Sequence, residues 1–194
     1  MINTIEIIED TINKKMCEYP DLELENISNL SQEEAEKIGD YEWSNIYIDS
    51  LQDISIDIVK AITKKKVSVL HLRGLTSITS EVAEYLACIR TKVILRNLTI
   101  LLPDEAYFLP SISFLDWLSF PYLVEVQPEI AKQLLAGYRH NSSVESLSLP
   151  AISNVSADTA QYLAGFKELN LENLKFPSCE VLQSFSSSPF LQNL

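Results

Sequence analysis

The side chains best suited to chemistry in this sequence are aromatic and basic residues in its central part. Tyrosine, tryptophan and arginine are the residue types most enriched at the binding hot spots of protein interfaces. An arginine adds charge-assisted hydrogen bonds to a carboxylate, and an aliphatic neighbour adds apolar area. The pattern therefore indicates recognition and not bond-making chemistry, and the predicted partner-binding residues are Tyr47, His71, Arg73, Ile94, Arg96, Trp117 and Tyr122.

No set of nucleophiles, acids and bases with catalytic spacing occurs in the chain. The sequence lacks the G-x-S-x-G, C-x-x-C and H-E-x-x-H motifs and any glycine-rich phosphate-binding loop. The cysteines Cys17, Cys88 and Cys179 are odd in number and scattered, which favours reduced structural thiols over disulfides. Cys88, which follows a predicted helix, is expected to be a small buried hydrophobe. We therefore predict no enzymatic activity, no metal site and no cofactor.

The stretch from Leu70 to Leu86 shows which elements would position the recognition residues. With Leu70 as position zero, apolar residues fall at positions zero, +2, +5, +8, +13 and +16. The initial spacing of two is typical of a strand, and the final spacing of three is typical of one helix face. Thr79, at +9, has the residue type and the place of a helix N-cap. The stretch therefore predicts a strand, a turn and a short helix.

The same pattern fits seven times along the chain, in what we term repeat units. They start at Leu22, Ile46, Leu70, Val93, Leu118, Leu147 and Leu169. Five units have an N-cap residue at +9, namely Ser31, Ser55, Thr79, Ser156 and Ser178. In the other two, Leu102 and Gln127 each precede a proline, which suits the first helical position. Ser31 and Glu34 also form the pattern of a capping box.

This pattern resembles the leucine-rich-repeat family over residues 22–194. The run L-x-L-x-x-L-x-x-I-T-S-E-V-A-E-Y-L-A is similar to the cysteine-containing subtype, with leucine or isoleucine in place of cysteine at +5. The resemblance implies an α/β solenoid with a parallel sheet on the concave side and short helices on the convex side. Without a polar residue at +5, the turn must rely on backbone hydrogen bonds or water. The alternative is an ordinary α/β domain with chance L-x-L pairs.

Residues 1–21 are predicted to form an N-terminal capping helix. Ile5, Ile8, Ile12 and Met16 recur at helical spacing and would cover the first unit of a repeat stack. The alternative, a membrane-surface helix, would have lysine and arginine dominating its polar face, whereas acids here match or exceed bases. No apolar run is long enough to span a membrane, and the start lacks the features of a secretion signal. A cytoplasmic location is predicted if Met1 is the natural start.

Several units depart from the regular pattern. Pro103 and Pro110 leave room for only a short helix between them, whereas a helix from Pro128 to about Tyr138 precedes a polar loop at 139–143. Leu182 and Phe185 fill the helical positions of the seventh unit. Position +13 is alanine in five units, which we interpret as the closest approach of helix and sheet backbones: Ala35, Ala83, Ala106, Ala131 and Ala160.

Charge is unevenly distributed along the chain, whose formal net charge is −12. Residues 1–57 hold 15 acids and three bases, and residues 60–96 hold eight bases and two acids. A nucleic-acid partner is not expected, because neutralising phosphates requires clustered lysine and arginine in excess. The alternative to a functional basic band is chance clustering.

The predicted partner-binding residues share one face of the expected sheet, at positions −1, +1 and +3 of their units, with Tyr122 at +4. Arg73 and Arg96 both hold +3 and would lie about 4.8 Å apart, so an arriving carboxylate would relieve their repulsion. Asp49, at +3 of the preceding unit, could do the same internally. An inward turn of Trp117 is a further alternative, because the fifth unit is irregular.

We therefore predict a non-enzymatic protein-interaction scaffold that binds a protein segment, acidic or apolar, on the concave sheet face. One alternative is a glycan or cell-envelope binder that uses Tyr47, Trp117 and Tyr122 as stacking platforms. Another is an architectural repeat fragment of a larger protein. No membrane partner is expected, and the oligomeric state stays open.

Overall fold

A computed structural model of the chain describes residues 4–14, 20–112, 117–140, 146–175 and 177–186. The chain divides into two compact bodies, an N-terminal body of residues 1–96 and a C-terminal body of residues 97–194. Both are α/β, and every strand pair in the described residues is parallel. The predicted α/β class with parallel strands and short helices is thus confirmed.

The N-terminal body contains four helices and four strands among its described residues. The strands form one sheet in the order β1-β2-β3-β4. The elements are α1 (Thr4–Lys14), β1 (Leu22–Glu23), α2 (Gln32–Gly39), β2 (Trp43–Tyr47), α3 (Ile56–Ile62), β3 (Val67–His71), α4 (Ser80–Cys88) and β4 (Lys92–Ile94).

The C-terminal body contributes a separate sheet of three strands in the order β5-β6-β7. The strands were expected to form one sheet, but the described residues form two. The elements are α5 (Pro103–Ile112), β5 (Trp117–Ser119), α6 (Pro128–His140), β6 (Ser146–Ser148), α7 (Ala157–Leu163), β7 (Glu168–Asn170) and α8 (Cys179–Ser186).

The first residues of the repeat units face one another across the strands. In the N-terminal body Leu22 pairs with Ile46, Ile46 with Leu70, and Leu70 with Val93. In the C-terminal body the same register joins residues 118, 147 and 169. Because side chains alternate between the two faces of a strand, this register puts equivalent positions of neighbouring units side by side.

The turns after the strands are held by backbone hydrogen bonds. In five units the N–H at +5 donates to the carbonyl at +2, with N···O distances of 3.0–3.4 Å. The prediction that these turns rely on backbone bonds is therefore confirmed there. The pairs are Leu51 to Ile48, Leu75 to Leu72, Leu123 to Phe120, Ile152 to Leu149 and Leu174 to Leu171.

The five predicted N-caps are confirmed, because each hydroxyl accepts a backbone N–H three residues on. Such a cap contributes roughly 0.5–2 kcal/mol to helix stability. Ser31 and Glu34 form a reciprocal capping box, in which the Ser31 N–H donates to Glu34 Oε2 at 2.8 Å. The capping residues are Ser31, Ser55, Thr79, Ser156 and Ser178.

Helix α5 has a different cap, which the sequence analysis missed. Leu102 has no side chain that could accept a helix N–H, but its own backbone N–H donates to Glu105 Oε2 at 2.7 Å, which is one half of the capping box seen at Ser31 and Glu34. Glu105 is only 5% exposed. Burial raises the pKa of this carboxyl above its ordinary value of 4.5, the hydrogen bond from Leu102 lowers it, and nearby Asp104 raises it. Glutamate three residues after the cap position was the available signal, as in Ser31 and Glu34.

Close backbone approach between neighbouring helices depends on small residues. The five alanines at +13 are fully buried. A Cβ on Gly39 would lie 1.8 Å from the Ala61 carbonyl oxygen, and a Cβ on Gly137 would lie 2.0 Å from that of Tyr107. Neither position could accept a side chain without moving α2 from α3 or α6 from α5.

Of the stretch predicted as an N-terminal capping helix, residues 1–21, α1 occupies Thr4–Lys14, whereas Pro20 and Asp21 are not helical. Ile8 is fully buried, and Glu9 forms an ion pair of 3.0 Å with Lys37 of α2. The helix therefore packs against the first repeat unit. Met16 lies outside the described residues, as does the side chain of Ile12.

Four local predictions were wrong. Helix α5 runs through Pro110, which is buried in its last turn, so Pro110 does not end it. Helix α6 continues to His140, and residues 141–145 lie outside the described part. Cys88 is exposed, because it ends α4 beyond the buried face. Leu182 is 52% exposed, because α8 buries Val181 and Phe185 at a spacing of four.

A search of the helices in the described ranges for a length and apolarity sufficient to cross the bilayer found none.

Ala83→Leu should destabilise the N-terminal body by roughly 1–3 kcal/mol, because three extra carbons would overpack a fully buried site. Chemical denaturation monitored by circular dichroism measures the free energy of unfolding. Ala136→Leu, at an exposed position of α6, is the control and should have little effect. An unchanged stability of the Ala83 variant would show that this site has room to spare.

Glu105→Gln should stabilise the fold at neutral pH. A carboxyl whose pKa is raised by folding stabilises the native state when protonated, and that contribution is lost as pH rises from about 4.5 through the native pKa. Glutamine keeps an oxygen for the Leu102 N–H but carries no charge to bury. The stability difference between variant and wild type, measured by urea unfolding across this range, should therefore grow with pH. A difference that shrinks as pH rises would contradict this.

Candidate protein-binding face

Three predicted residues meet in one row across the sheet of the N-terminal body. Tyr47 pairs with His71, and His71 pairs with Ile94, on β2, β3 and β4. Glu23 of β1 continues the row on the other side of Tyr47. The strands follow one another at spacings of 24, 24 and 23 residues, so the sheet brings together side chains that are far apart in the sequence.

The centre of the row is an aromatic stack. The Tyr47 and His71 rings lie with centroids 4.1 Å apart at an interplanar angle of 24°. His71 is only 7% exposed, so it is not the freely accessible contact residue that the sequence predicted. The ring of Tyr47 packs against the imidazole, which removes it from solvent. Tyr47 and Ile94 remain half-exposed.

Arg73 is neutralised by an internal partner. Its Nη1 lies 3.0 Å from Asp49 Oδ2, and its backbone N–H donates to Asp49 Oδ1 at 3.2 Å. The expected pair of unpaired guanidinium groups, Arg73 and Arg96, is therefore wrong, and the internal alternative is correct. The Asp49 carboxylate is within reach because Asp49 and Arg73 hold the same position, +3, after the neighbouring strands β2 and β3. Such a part-exposed pair contributes modestly to stability, roughly 0–1 kcal/mol.

Gly74 allows this geometry. A Cβ at this position would lie 2.4 Å from the Asp49 carbonyl oxygen and 2.6 Å from that of Leu51. The turn after β3 thus lies directly against the turn after β2.

An aspartate also accepts two hydrogen bonds from one residue between β1 and β2. The backbone N–H and the side-chain Nδ2 of Asn45 both donate to Asp21 Oδ1, at 3.1 and 2.7 Å.

Lys92 and Arg96 supply uncompensated positive charge beside the stack. Neither forms an ion pair or hydrogen bond within the described residues. Lys92 lies two residues before Ile94, on the same face of β4, and Arg96 is exposed just beyond the strand. Both are close enough to His71 to lower its pKa.

His71 is held in its neutral form at the centre of these charges. Burial lowers the pKa of His71 below its ordinary value of 6.5, and Arg73, Lys92 and Arg96 lower it further, while Asp49 opposes them. Within the described residues, Nδ1 of His71 and Nε of Arg73 are buried without a hydrogen-bond partner.

The opposite end of the face is acidic. A cleft of about 390 Å³ opens beside Tyr47 and is lined by Glu23, Glu25 and Asp49, together with Leu24 and neighbouring turn residues. The face therefore changes sign across the sheet, from carboxylates on the β1 side to Lys92 and Arg96 on the β4 side. The sequence showed this as an acidic segment followed by a basic one.

Two of the predicted residues belong to the C-terminal body. Trp117 begins β5 and pairs with Ser146, but its side chain lies outside the described part of the structure. Tyr122 is exposed in the turn that follows β5. The five residues brought together in the N-terminal body are Tyr47, His71, Arg73, Ile94 and Arg96.

No group of histidine, cysteine, aspartate and glutamate in the described part of the chain is arranged to hold a metal ion. Neither a scan against models of known protein families nor a search of curated proteins finds a match to the sequence.

Asp49→Asn should lower the pKa of His71 further, because it removes the carboxylate that opposes Arg73, Lys92 and Arg96. The measurement is an NMR titration of the two histidines, with His140 as an internal reference. Asp57→Asn, at an exposed position in the first turn of α3, is the control and should leave His71 unchanged. A pKa of His71 that rises in the Asp49 variant would contradict the described geometry.

Proposed function

We propose that this protein is a leucine-rich-repeat solenoid that binds an acidic segment of another protein on the face of the N-terminal sheet. The solenoid is supported by the paired unit starts, the five N-caps and the repeated turn hydrogen bonds. A repeat stack of this kind presents an open sheet face, on which equivalent positions form rows suited to an extended partner.

The single observation that carries the proposal is the uncompensated charge of Lys92 and Arg96 beside Tyr47 and Ile94. Arg73 already has Asp49, whereas Lys92 and Arg96 have no such partner in the described residues. A carboxylate bound there would form charge-assisted hydrogen bonds, and the half-exposed Tyr47 and Ile94 would add apolar contact. The arrangement thus combines one sign of charge with aromatic and aliphatic area, as at interface hot spots.

The charge gradient also sets the orientation of the occupant. Glu23 and Glu25 would repel a carboxylate at the β1 side, so the acidic residues of the partner would lie over β4. Glycan binding is less well supported, because one surface of the Tyr47 ring already packs against His71. A sugar would therefore find only part of that aromatic platform available.

The test is a selection of random short peptides displayed on phage against the immobilised protein. Selected peptides should be enriched in aspartate and glutamate next to apolar residues. Binding of synthesised winners should fall by about tenfold or more in the variant Lys92→Glu with Arg96→Glu, because a tenfold change needs only about 1.4 kcal/mol. Fluorescence polarisation gives the dissociation constants.

The matched control is Lys65→Glu with Arg90→Glu. It makes the same change in net charge with the same residue types, at exposed positions that precede β3 and β4. If both double variants weaken binding equally, the attraction is to net charge and the proposed face is wrong. If neither weakens it, the peptides bind elsewhere.

A further inference from the structure

Four large apolar side chains of the C-terminal body are exposed in two strand-to-helix segments. Ile100, Leu102, Tyr122 and Val124 are between 56% and 69% exposed. Their neighbours Leu101, Leu123 and Val126 are buried, so the core positions of both segments are already filled. The exposed residues are therefore not part of the hydrophobic core.

At two of these four places, those of Val124 and Leu102, the other units have polar residues. Val124 holds position +6, where the other units have Ser28, Gln52, Thr76, Thr99, Ser153 and Lys175. Leu102 holds position +9, where five units have a capping serine or threonine. Two neighbouring units thus expose leucine and valine where the pattern of the chain calls for polar residues.

Leucine at position 102 leaves α5 without a side-chain N-cap. It lacks the acceptor that a serine there would offer to the Glu105 N–H, so only one half of a capping box is present, the bond from the Leu102 N–H to the Glu105 carboxyl. Proteins commonly break a local rule of this kind where function needs the residue. An exposed leucine that contributes nothing to the core and forgoes a cap is suited to contact with a partner.

The two segments lead into helices that pack together. Leu102 immediately precedes α5, and the segment of Tyr122 and Val124 runs into α6. These helices are in contact, and Gly137 of α6 lies directly against the Tyr107 carbonyl of α5. Both segments therefore lead into the same packed pair of helices in the C-terminal body.

The rim of this area is acidic. Asp104 and Glu125 are exposed and follow Leu102 and Val124 within two residues. Residues 97–194 contain ten acids and four bases, so that half of the sequence carries a net charge of −6. A partner that places apolar side chains here must also face carboxylates, and lysine or arginine would complement them.

We propose that Ile100, Leu102, Tyr122 and Val124 form a docking surface for a second protein segment, amphipathic and basic, with apolar side chains flanked by lysine or arginine. This surface lies in the C-terminal body and does not depend on the proposed acidic-segment site. Its apolar residues supply the anchor, and Asp104 and Glu125 select a cationic rim.

The probe is a synthetic amphipathic peptide of leucine and lysine, compared with a peptide in which serine replaces every leucine. Isothermal calorimetry on the full chain measures both. The Leu/Lys peptide should bind and the Ser/Lys peptide should not, and Leu102→Ser with Val124→Ser should weaken binding about tenfold or more. The melting temperature of this double variant should stay level or rise, because serine at position 102 supplies an N-cap. Leu182→Ser, at another exposed leucine, should bind as wild type does.

The double variant Asp104→Asn with Glu125→Gln tests the charge requirement, and it should also bind the Leu/Lys peptide more weakly than the wild type does. Its control is Asp158→Asn with Glu168→Gln, since Asp158 holds the same first-turn place in α7. The proposal would be overturned if the Ser/Lys peptide bound the wild type as tightly as the Leu/Lys peptide does. It would also be overturned if the Leu/Lys peptide bound the Leu102→Ser, Val124→Ser variant as tightly as it binds the wild type. Self-association of the wild type that Val124→Ser abolishes would overturn it in favour of a second copy of the chain.

Discussion

The structure depends on how the backbone is satisfied where each strand ends. At that point the N–H at +2 still donates to the carbonyl at +1 of the next strand, as Leu24 does to Tyr47, Ile48 to His71 and Leu72 to Ile94. Three residues later, the N–H at +5 returns to the carbonyl at +2 in five of the units. A buried unpaired amide costs about as much as a lost hydrogen bond, so these bonds fix where each chain segment turns.

This constraint also builds the candidate face. Because the +1 residues of neighbouring strands share a register, Tyr47 and His71 must meet, and the stack follows from sequence spacing. The +3 residues lie just past the last ladder bond, where Asp49 can reach both the amide and the guanidinium of Arg73. The same geometry gives Arg96 no such acid, because the equivalent position after the preceding strand is Arg73, which already pairs with Asp49.

The features that the sequence predicted well are local. Each N-cap needs only a hydroxyl and the following turn, and the unit starts need only the apolar pattern, so both were found from residue spacing. The burial of His71 was not predicted, and the pairing of Arg73 with Asp49 was one of two alternatives that the sequence left open, because both depend on which side chains make contact across neighbouring strands. The continuation of α5 through Pro110 depends on packing and cannot be read from residue type alone. The bond from the Leu102 N–H to Glu105 could have been predicted, because Glu105 holds the same place after Leu102 as Glu34 after Ser31.

Exceptions to the repeated pattern are therefore the most informative positions in this chain. Where a residue fits the repeated pattern, as Ser55 and Thr79 do, it is explained by the helix that it caps. Leu102 is not explained in that way, because a serine there would accept from the Glu105 N–H and complete the capping box that Leu102 leaves half-formed. Among the residues that the structure describes, Lys92 and Arg96 likewise have no acid of the kind that Asp49 supplies to Arg73. In a chain built from equivalent units, a residue that its own unit does not need is best explained by something outside the fold.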